Sequence, residues 1–254
     1  MKPSHHAQVL QQFDAQAAAY VASAVHATGE DLDRIEAEAR RVAPRLALDL
    51  GSGGGHVAYR IATHAQRVIA SDLSAEMLAA VADTARDRNL LNIETCVAPA
   101  EGLPFDEAVF DFLGCRFSAH HWQDFEGGLR EARRVLAPGS TALFVDVVSP
   151  GPALLDTHLQ AIELLRDVSH VRDYAGSEWG AALARAGFAV RTTRAGRLRM
   201  EFSVWTARMR TPEANVAAIR ALQNGAPAEV AEHFAIEPDG SFLLDTLFIE
   251  AVAA

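Results

Sequence analysis

Between residues 45 and 149, short apolar runs alternate with stretches of helical period, which leaves few architectures open. RLALDL, RVIASDL, NIETCVA, VFDFLGCRF and TALFVDVVS read as strands. GGHVAYRIATHA, SAEMLAAVADTARDRN and WQDFEGGLREARRVL read as helices, the last closed by APGS. Strands that are apolar throughout bury both faces, so the sheet is expected to be parallel and covered by helices on each side. Right-handed crossovers then wind it into a doubly wound α/β fold.

The flanks add helices. Residues 4–27 carry Val9, Leu10, Phe13, Ala17, Tyr20, Val21 and Ala24 at helical spacing. GEDLDRIEAEARRV follows as a second helix, with Asp31 and Asp33 suited to its start. After Pro150 the pattern predicts a helix over 152–168, a loop at SHVRDYAGS and a short helix in EWGAALARAGF ending at Gly187. FAVRTTRAGRLRMEF reads as a long strand interrupted at Gly196, TPEANVAAIRALQNG and PAEVAEHFA as helices, and SFLLDTLFIEAVA as a last strand. With no repeat or linker in its 254 residues, the chain is expected to be one domain. Its parts are a helical lid (1–44), a ligand-binding core (45–149) and a substrate-side region (150–254).

Net charge is −10, from 33 acids and 23 bases. That disfavours nucleic acid, whose binding rests on Lys and Arg neutralising phosphates, and it disfavours anionic membranes. No run approaches the roughly 20 apolar residues of a membrane helix, and MKPSHHAQVLQQFDAQ lacks the apolar stretch of a signal peptide. A cytoplasmic protein is expected. Cys96 and Cys115 lie in strand-like segments and suit neither a disulfide framework nor a zinc site. No metal is expected, and the oligomeric state is left open.

ALDLGSGGGHVA, at 47–58, carries the chemistry. Gly51, Gly53 and Gly55 follow a strand and open a helix, letting the chain turn tightly and a ligand approach the bare backbone. N–H groups at the helix start suit an anionic group. A plain turn is equally glycine-rich, so the second strand matters. It ends in Asp72, 21 residues after Gly51, where a carboxylate accepts bonds from both hydroxyls of a ribose. Its other reading is a loop acid beside the helix cap at Ser74. The loop departs from the nicotinamide pattern G-x-G-x-x-G/A, because His56 occupies the sixth position and Gly55 comes one place early.

Asp49 precedes the first glycine by two residues, and this D-x-G-x-G-x-G form resembles the first motif of class I S-adenosylmethionine methyltransferases. Residues 98–140 are similar to the ubiquinone/menaquinone-biosynthesis type of C-methyltransferase. The matching positions are Ala100, Glu101, Leu103, Pro104, Phe105, Phe110, Asp111, His120, His121, Arg134, Val135, Leu136, Pro138 and Gly139. The resemblance implies a Rossmann-like sheet of seven strands, with N-terminal helices and a helical insertion before the last strand. It also implies S-adenosylmethionine as cofactor and a small-molecule acceptor methylated at carbon, oxygen or nitrogen. The Gly51–Gly53 backbone would hold the methionine end, with Asp49 beneath it and Arg116 beside it. Leu73, Met77, Ala100 and Glu101 would surround the adenine, and Phe13 and Tyr20 would belong to a lid, Tyr20 reaching the cofactor. Pro99 departs from the family's aspartate facing the adenine amino group and offers neither acceptor nor N–H.

His120 and His121 follow the fourth strand, at the ligand-binding edge of such sheets. One imidazole is a candidate base, and shaping the pocket by hydrogen bonds is the alternative role. As chain neighbours their rings are expected to diverge. His170, Arg172, Tyr174, Trp179, Trp205, Arg208 and Arg210 combine aromatic faces with cationic groups, which suits a planar, quinone-like or anionic acceptor. Two other functions stay open from the sequence: a protein that binds S-adenosylmethionine without transferring the methyl, and a nicotinamide oxidoreductase.

Overall fold

The computed structural model describes residues 2–14 and 28–254. The elements are α1 (His5–Phe13), α2 (Glu30–Val42), β1 (Leu46–Leu50), α3 (His56–Ala62), β2 (Arg67–Asp72), α4 (Ala75–Asp87) and β3 (Ile93–Val97). Then come β4 (Phe110–Arg116), a 3-10 turn (Ala119–His121), α5 (Phe125–Val135), β5 (Leu136–Val147), α6 (Ala153–Arg166) and α7 (Gly176–Ala186). The chain closes with β6 (Phe188–Met200), α8 (Phe202–Arg208), α9 (Glu213–Asn224), α10 (Ala228–His233) and β7 (Phe242–Ala253). The remainder of the expected 4–27 helix, Tyr20 included, lies outside the described residues.

The seven strands are ordered β3-β2-β1-β4-β5-β7-β6. β1 to β5 pair in parallel, whereas β7 runs antiparallel between β5 and β6. The parallel sheet expected of residues 45–149 is thus found in β1 to β5, and the antiparallel strand lies after Pro150. β7 follows the helical insertion α8–α10, which returns the chain to the sheet from the opposite end. The strand order reverses at β1, whose neighbours are β2 and β4. At such a reversal the connections leave on opposite faces, opening a crevice beyond the carboxyl ends of the strands.

Local chemistry explains most boundaries. In α2, Leu32, Ile35 and Ala39 form the buried stripe, with acids in the first turn and Arg40 and Arg41 in the last, matching the helix dipole. The Ser74 hydroxyl accepts from Met77 N (3.0 Å) to cap α4, and Asp124 accepts from Gly127 N (2.9 Å) to cap α5. Three departures have physical causes. APGS does not end α5 in a loop: β5 begins at Leu136, which pairs with Phe110 before the register shifts. β6 is not interrupted at Gly196, which pairs with Thr246; a Cβ there would lie 2.8 Å from the Thr246 hydroxyl, so the glycine admits a close cross-strand neighbour. The irregularity in β6 falls instead between Val190 and Thr192. α8 begins where a strand end was expected, because Phe202 and Trp205, three apart, bury together on one helical face.

α9 and α10 pack on α6, and an apolar cluster of Leu159, Ile162, Trp205, Ile219, Phe234 and Phe242 joins them. Two motif residues prove to be scaffolding. Asp111 accepts from Arg45 N and Leu46 N at 3.0 Å each and ties β4 to the start of β1. The Arg134 guanidinium donates to the carbonyls of Leu103 and Phe105 at 2.9 and 2.7 Å and pins the loop before β4. Among the described residues, no helix is long and apolar enough to cross a membrane.

Candidate active site

A cavity opens beyond the carboxyl ends of β1, β2 and β4, bounded by the glycine loop on one side and by α1, α6 and α8 on the other. Gly51, Gly53 and Gly55 all take positive φ, at 68°, 48° and 78°. A Cβ on Gly51 would sit 1.9 Å from the Ser118 hydroxyl, so that glycine admits the turn after β4. Gly53 is different: a Cβ there meets nothing nearer than the Met77 methyl at 4.0 Å, leaving backbone open to the cavity. Gly55 does not line the cavity and packs instead against Tyr59 and Val81.

Both acids at the strand tips face this space. Asp49 is 1% exposed and accepts from Ala58 N (2.9 Å) in the first turn of α3. Burial, reinforced by the charge of Asp72, lifts its pKa to about 7 against the pull of that hydrogen bond and of Arg116. Asp72 accepts from Gly53 N (2.8 Å) with one oxygen and from Ser74 N (2.9 Å) with the other, and burial raises its pKa as well. The carboxylate keeps acceptor capacity at the cavity, which suits ribose hydroxyls. The buried Ser52 hydroxyl, also at the cavity, has no hydrogen-bond partner among the described residues. Open backbone at Gly53, spare acceptors on Asp72 and a buried carboxyl awaiting positive charge fit a cationic nucleoside such as S-adenosylmethionine.

Leu73, Met77, Pro99, Ala100 and Glu101 form the adjoining wall, where an adenine was expected. Glu101 accepts from Asp124 N (3.2 Å), which connects that wall to the cap of α5. Arg116 reaches the cavity while paired with Asp31 on α2 and lying over the Phe117 ring. α1 crosses the opening. Phe13 lines the cavity and meets the His121 ring edge-on at 5.1 Å, Gln12 donates to the Met209 carbonyl (2.8 Å), and Asp14 accepts from the Ser74 hydroxyl (2.6 Å).

The two histidines do not diverge. The 3-10 turn and Phe117, at φ 51°, bring their rings to 4.3 Å between centroids, both at the cavity. His120 Nδ1 donates to Asp146 (2.6 Å). Burial alone would lower the His120 pKa, but the charge and hydrogen bond of Asp146, with Asp173 and Glu163 behind it, raise it to about 9. His121 Nδ1 donates to the Ser169 carbonyl (3.1 Å), while burial and the His120 cation push its pKa down to about 4. At neutral pH the pair therefore holds one extra proton, which makes His120 the cation, and His121 is neutral with its lone pair on Nε2.

Of the expected substrate residues, Phe13, Trp205 and Arg208 line the cavity. The others are used elsewhere. Tyr174 stacks on Phe125 at 3.9 Å and Trp179 meets Phe125 edge-on at 4.7 Å in the core. Arg172 pairs with Asp156 and Glu178, buried His170 bonds to Gln160 (3.0 Å), and Arg210 takes a left-handed conformation after α8. Residues the sequence did not single out take their place: Glu163, Arg166, Asp167 and Asp173. Glu163, Arg166 and Asp167 share helical spacing on one face, a signal that on an amphipathic helix ordinarily marks a solvated side.

Asp49 is expected to make cofactor binding pH-dependent. A ligand cation beside it favours the ionised form, so affinity for S-adenosylmethionine is expected to fall as pH drops below about 7. Titration calorimetry between pH 5.5 and 8 reads this slope, and Asp49→Asn is expected to weaken binding and flatten it. A slope unchanged in the variant would remove Asp49 from the cofactor contact.

Residues 48–144 match the family model described as a methyltransferase domain. The uncharacterized protein YafE of Escherichia coli (strain K12) is 45% identical over 78% of this chain and 95% of its own length. The uncharacterized methyltransferase YcgJ of Bacillus subtilis (strain 168) is 31% identical over 94% and 97%. The crystal structure of YcgJ superposes with a TM-score of 0.83, covering 87% of this chain and 97% of that one at 30% identity. The ubiquinone/menaquinone biosynthesis C-methyltransferase UbiE of Rickettsia prowazekii (strain Madrid E) is 38% identical, but over 36% of this chain and 40% of its own.

Proposed function

This chain belongs to the S-adenosylmethionine-dependent methyltransferase family, and on that premise we propose that it methylates a small metabolite at carbon, oxygen or nitrogen. One observation carries the reading: a single cavity joins the glycine loop and its two aspartates to a protonated and a neutral histidine. S-adenosylmethionine supplies an electrophilic methyl on a sulfonium. Asp72 would hold the ribose hydroxyls, Gly51 and Gly53 with Asp49 and Arg116 the methionine end, and Leu73, Met77, Ala100 and Glu101 the adenine. α1, through Phe13, would keep water from the reacting centre. Where the acceptor must lose a proton, His121 Nε2 is positioned to take it, because His120 is already protonated.

Trp205 and Phe13 at the cavity support a planar acceptor, quinone-like rings included. An anionic one finds less support, because six carboxylates against three guanidiniums line the walls. The net charge of −10 supports a reading without nucleic acid, and two free thiols support a reducing, cytoplasmic setting. Incubating the protein with methyl-labelled S-adenosylmethionine and a metabolite extract is expected to label a small molecule, read by mass spectrometry. Tight cofactor binding with no labelled metabolite in any extract would overturn the proposed transfer.

A further inference from the structure

Asp167 and Asp173 sit on the loop that follows α6, 2% and 1% exposed, and both line the cavity. Each has one buried carboxylate oxygen, Oδ2, with no hydrogen-bond partner among the described residues. On Asp167 the other oxygen is fully engaged, accepting from Ser169 N (2.8 Å) and from the Ser169 hydroxyl (2.6 Å). Buried acceptors are ordinarily satisfied, and two orphaned ones in the same cavity wall call for an explanation.

Among the described residues, no cation is paired with these two oxygens. Arg166 pairs with Glu163 (3.2 Å), donates to the Trp205 carbonyl (3.1 Å) and lies over the Trp205 ring. His120 belongs to Asp146. The neutral His121 ring comes no nearer to Asp167 than 4.0 Å. His170 stands 3.8 Å from Asp173, but burial pushes its pKa down to about 2 and its Nε2 bonds to Gln160. Among the described residues, no three His, Cys, Asp or Glu converge as metal ligands. What the two oxygens lack is a compact donor carrying positive charge.

We propose that the acceptor is an amine, anchored through its ammonium group by Asp167 and Asp173. The inference rests on the reading of this cavity as the methyl-acceptor site. An ammonium offers three N–H donors in a small volume, together with the positive charge that a carboxylate oxygen favours. A hydroxyl satisfies one oxygen and leaves the charge uncompensated, and a carboxylate is repelled. Burial and the charge of Glu163 hold the Asp173 pKa well above the carboxylate range. A bound ammonium opposes that shift.

The test compares three probes of similar shape: 2-phenylethylamine, 2-phenylethanol and 3-phenylpropanoate. They are titrated calorimetrically into the full-length protein, with and without saturating S-adenosylhomocysteine. The amine is expected to bind about tenfold or more tightly than the alcohol, with the acid weakest. Asp167→Asn and Asp173→Asn are each expected to lower amine affinity about tenfold while alcohol binding stays within about twofold. An acid or alcohol that binds as well as the amine, or an amine preference that survives both substitutions, overturns the proposal. Failure of the methyltransferase reading would look different, as loss of S-adenosylhomocysteine binding by the wild-type protein.

Discussion

Asp72→Ala is expected to weaken S-adenosylmethionine binding by about 100-fold or more. Two hydrogen bonds from ribose hydroxyls to an ionised carboxylate contribute about 1.5–3 kcal/mol each, and 1.4 kcal/mol is a factor of ten. The substitution also removes the acceptor for Gly53 N and Ser74 N, so the glycine loop loses its tie to the start of α4. Asp72→Asn is milder but not selective: its oxygen keeps one backbone partner, whereas its NH2 faces the N–H of Gly53 or Ser74, so a smaller loss of affinity with a lowered unfolding temperature is expected. Equilibrium dialysis or calorimetry reads the affinity, and thermal unfolding reads the scaffold. Unchanged affinity in Asp72→Ala would mean that the nucleoside does not lie across the tips of β1 and β2, and the proposed cofactor contacts would fall together.

The second large effect concerns stability. The His120 pKa is about 9 in the folded protein against an ordinary 6.5. The folded state thus binds this proton more tightly than the unfolded chain does. The resulting stabilisation is complete below about pH 6.5 and is lost as pH rises to about 9, with a full size of about 3 kcal/mol. Other groups titrate in the opposite sense: His121, lowered to about 4, makes stability rise with pH over the range below 6.5. The difference between wild type and Asp146→Asn isolates the pair. The variant is expected to be less stable by about 2–3 kcal/mol at pH 6.5 and to approach wild type near pH 9.5. Urea unfolding at a series of pH values measures this, and a difference independent of pH would show that the His120 charge does not stabilise the fold.

Much of the cofactor side was legible because its signals are local. A glycine at positive φ, an aspartate two residues before it and an acid ending the next strand are fixed by chain geometry over short distances. All three appear where the sequence places them. The acceptor side was not legible in the same way. His170, Arg172 and Tyr174 have the right chemistry for binding, yet Gln160, Asp156 and Phe125 already occupy them. Glu163 and Asp167 have the spacing of ordinary surface acids at the end of an amphipathic helix, but in the fold both are buried at the cavity. The pairing of His120 with Asp146 depends on adjacent strands, which no spacing along the chain announces.

The sequence by itself determined the alternation of strands and helices, the nucleotide-binding loop and the position of its partner aspartate, since periodicity, glycine conformation and strand ends are properties of neighbouring residues. Only the tertiary structure decided which charges lose water. Burial depends on segments that meet across the sheet and the insertion, and it gives Asp49, His120 and Asp173 protonation states that exposed side chains of the same types would not have.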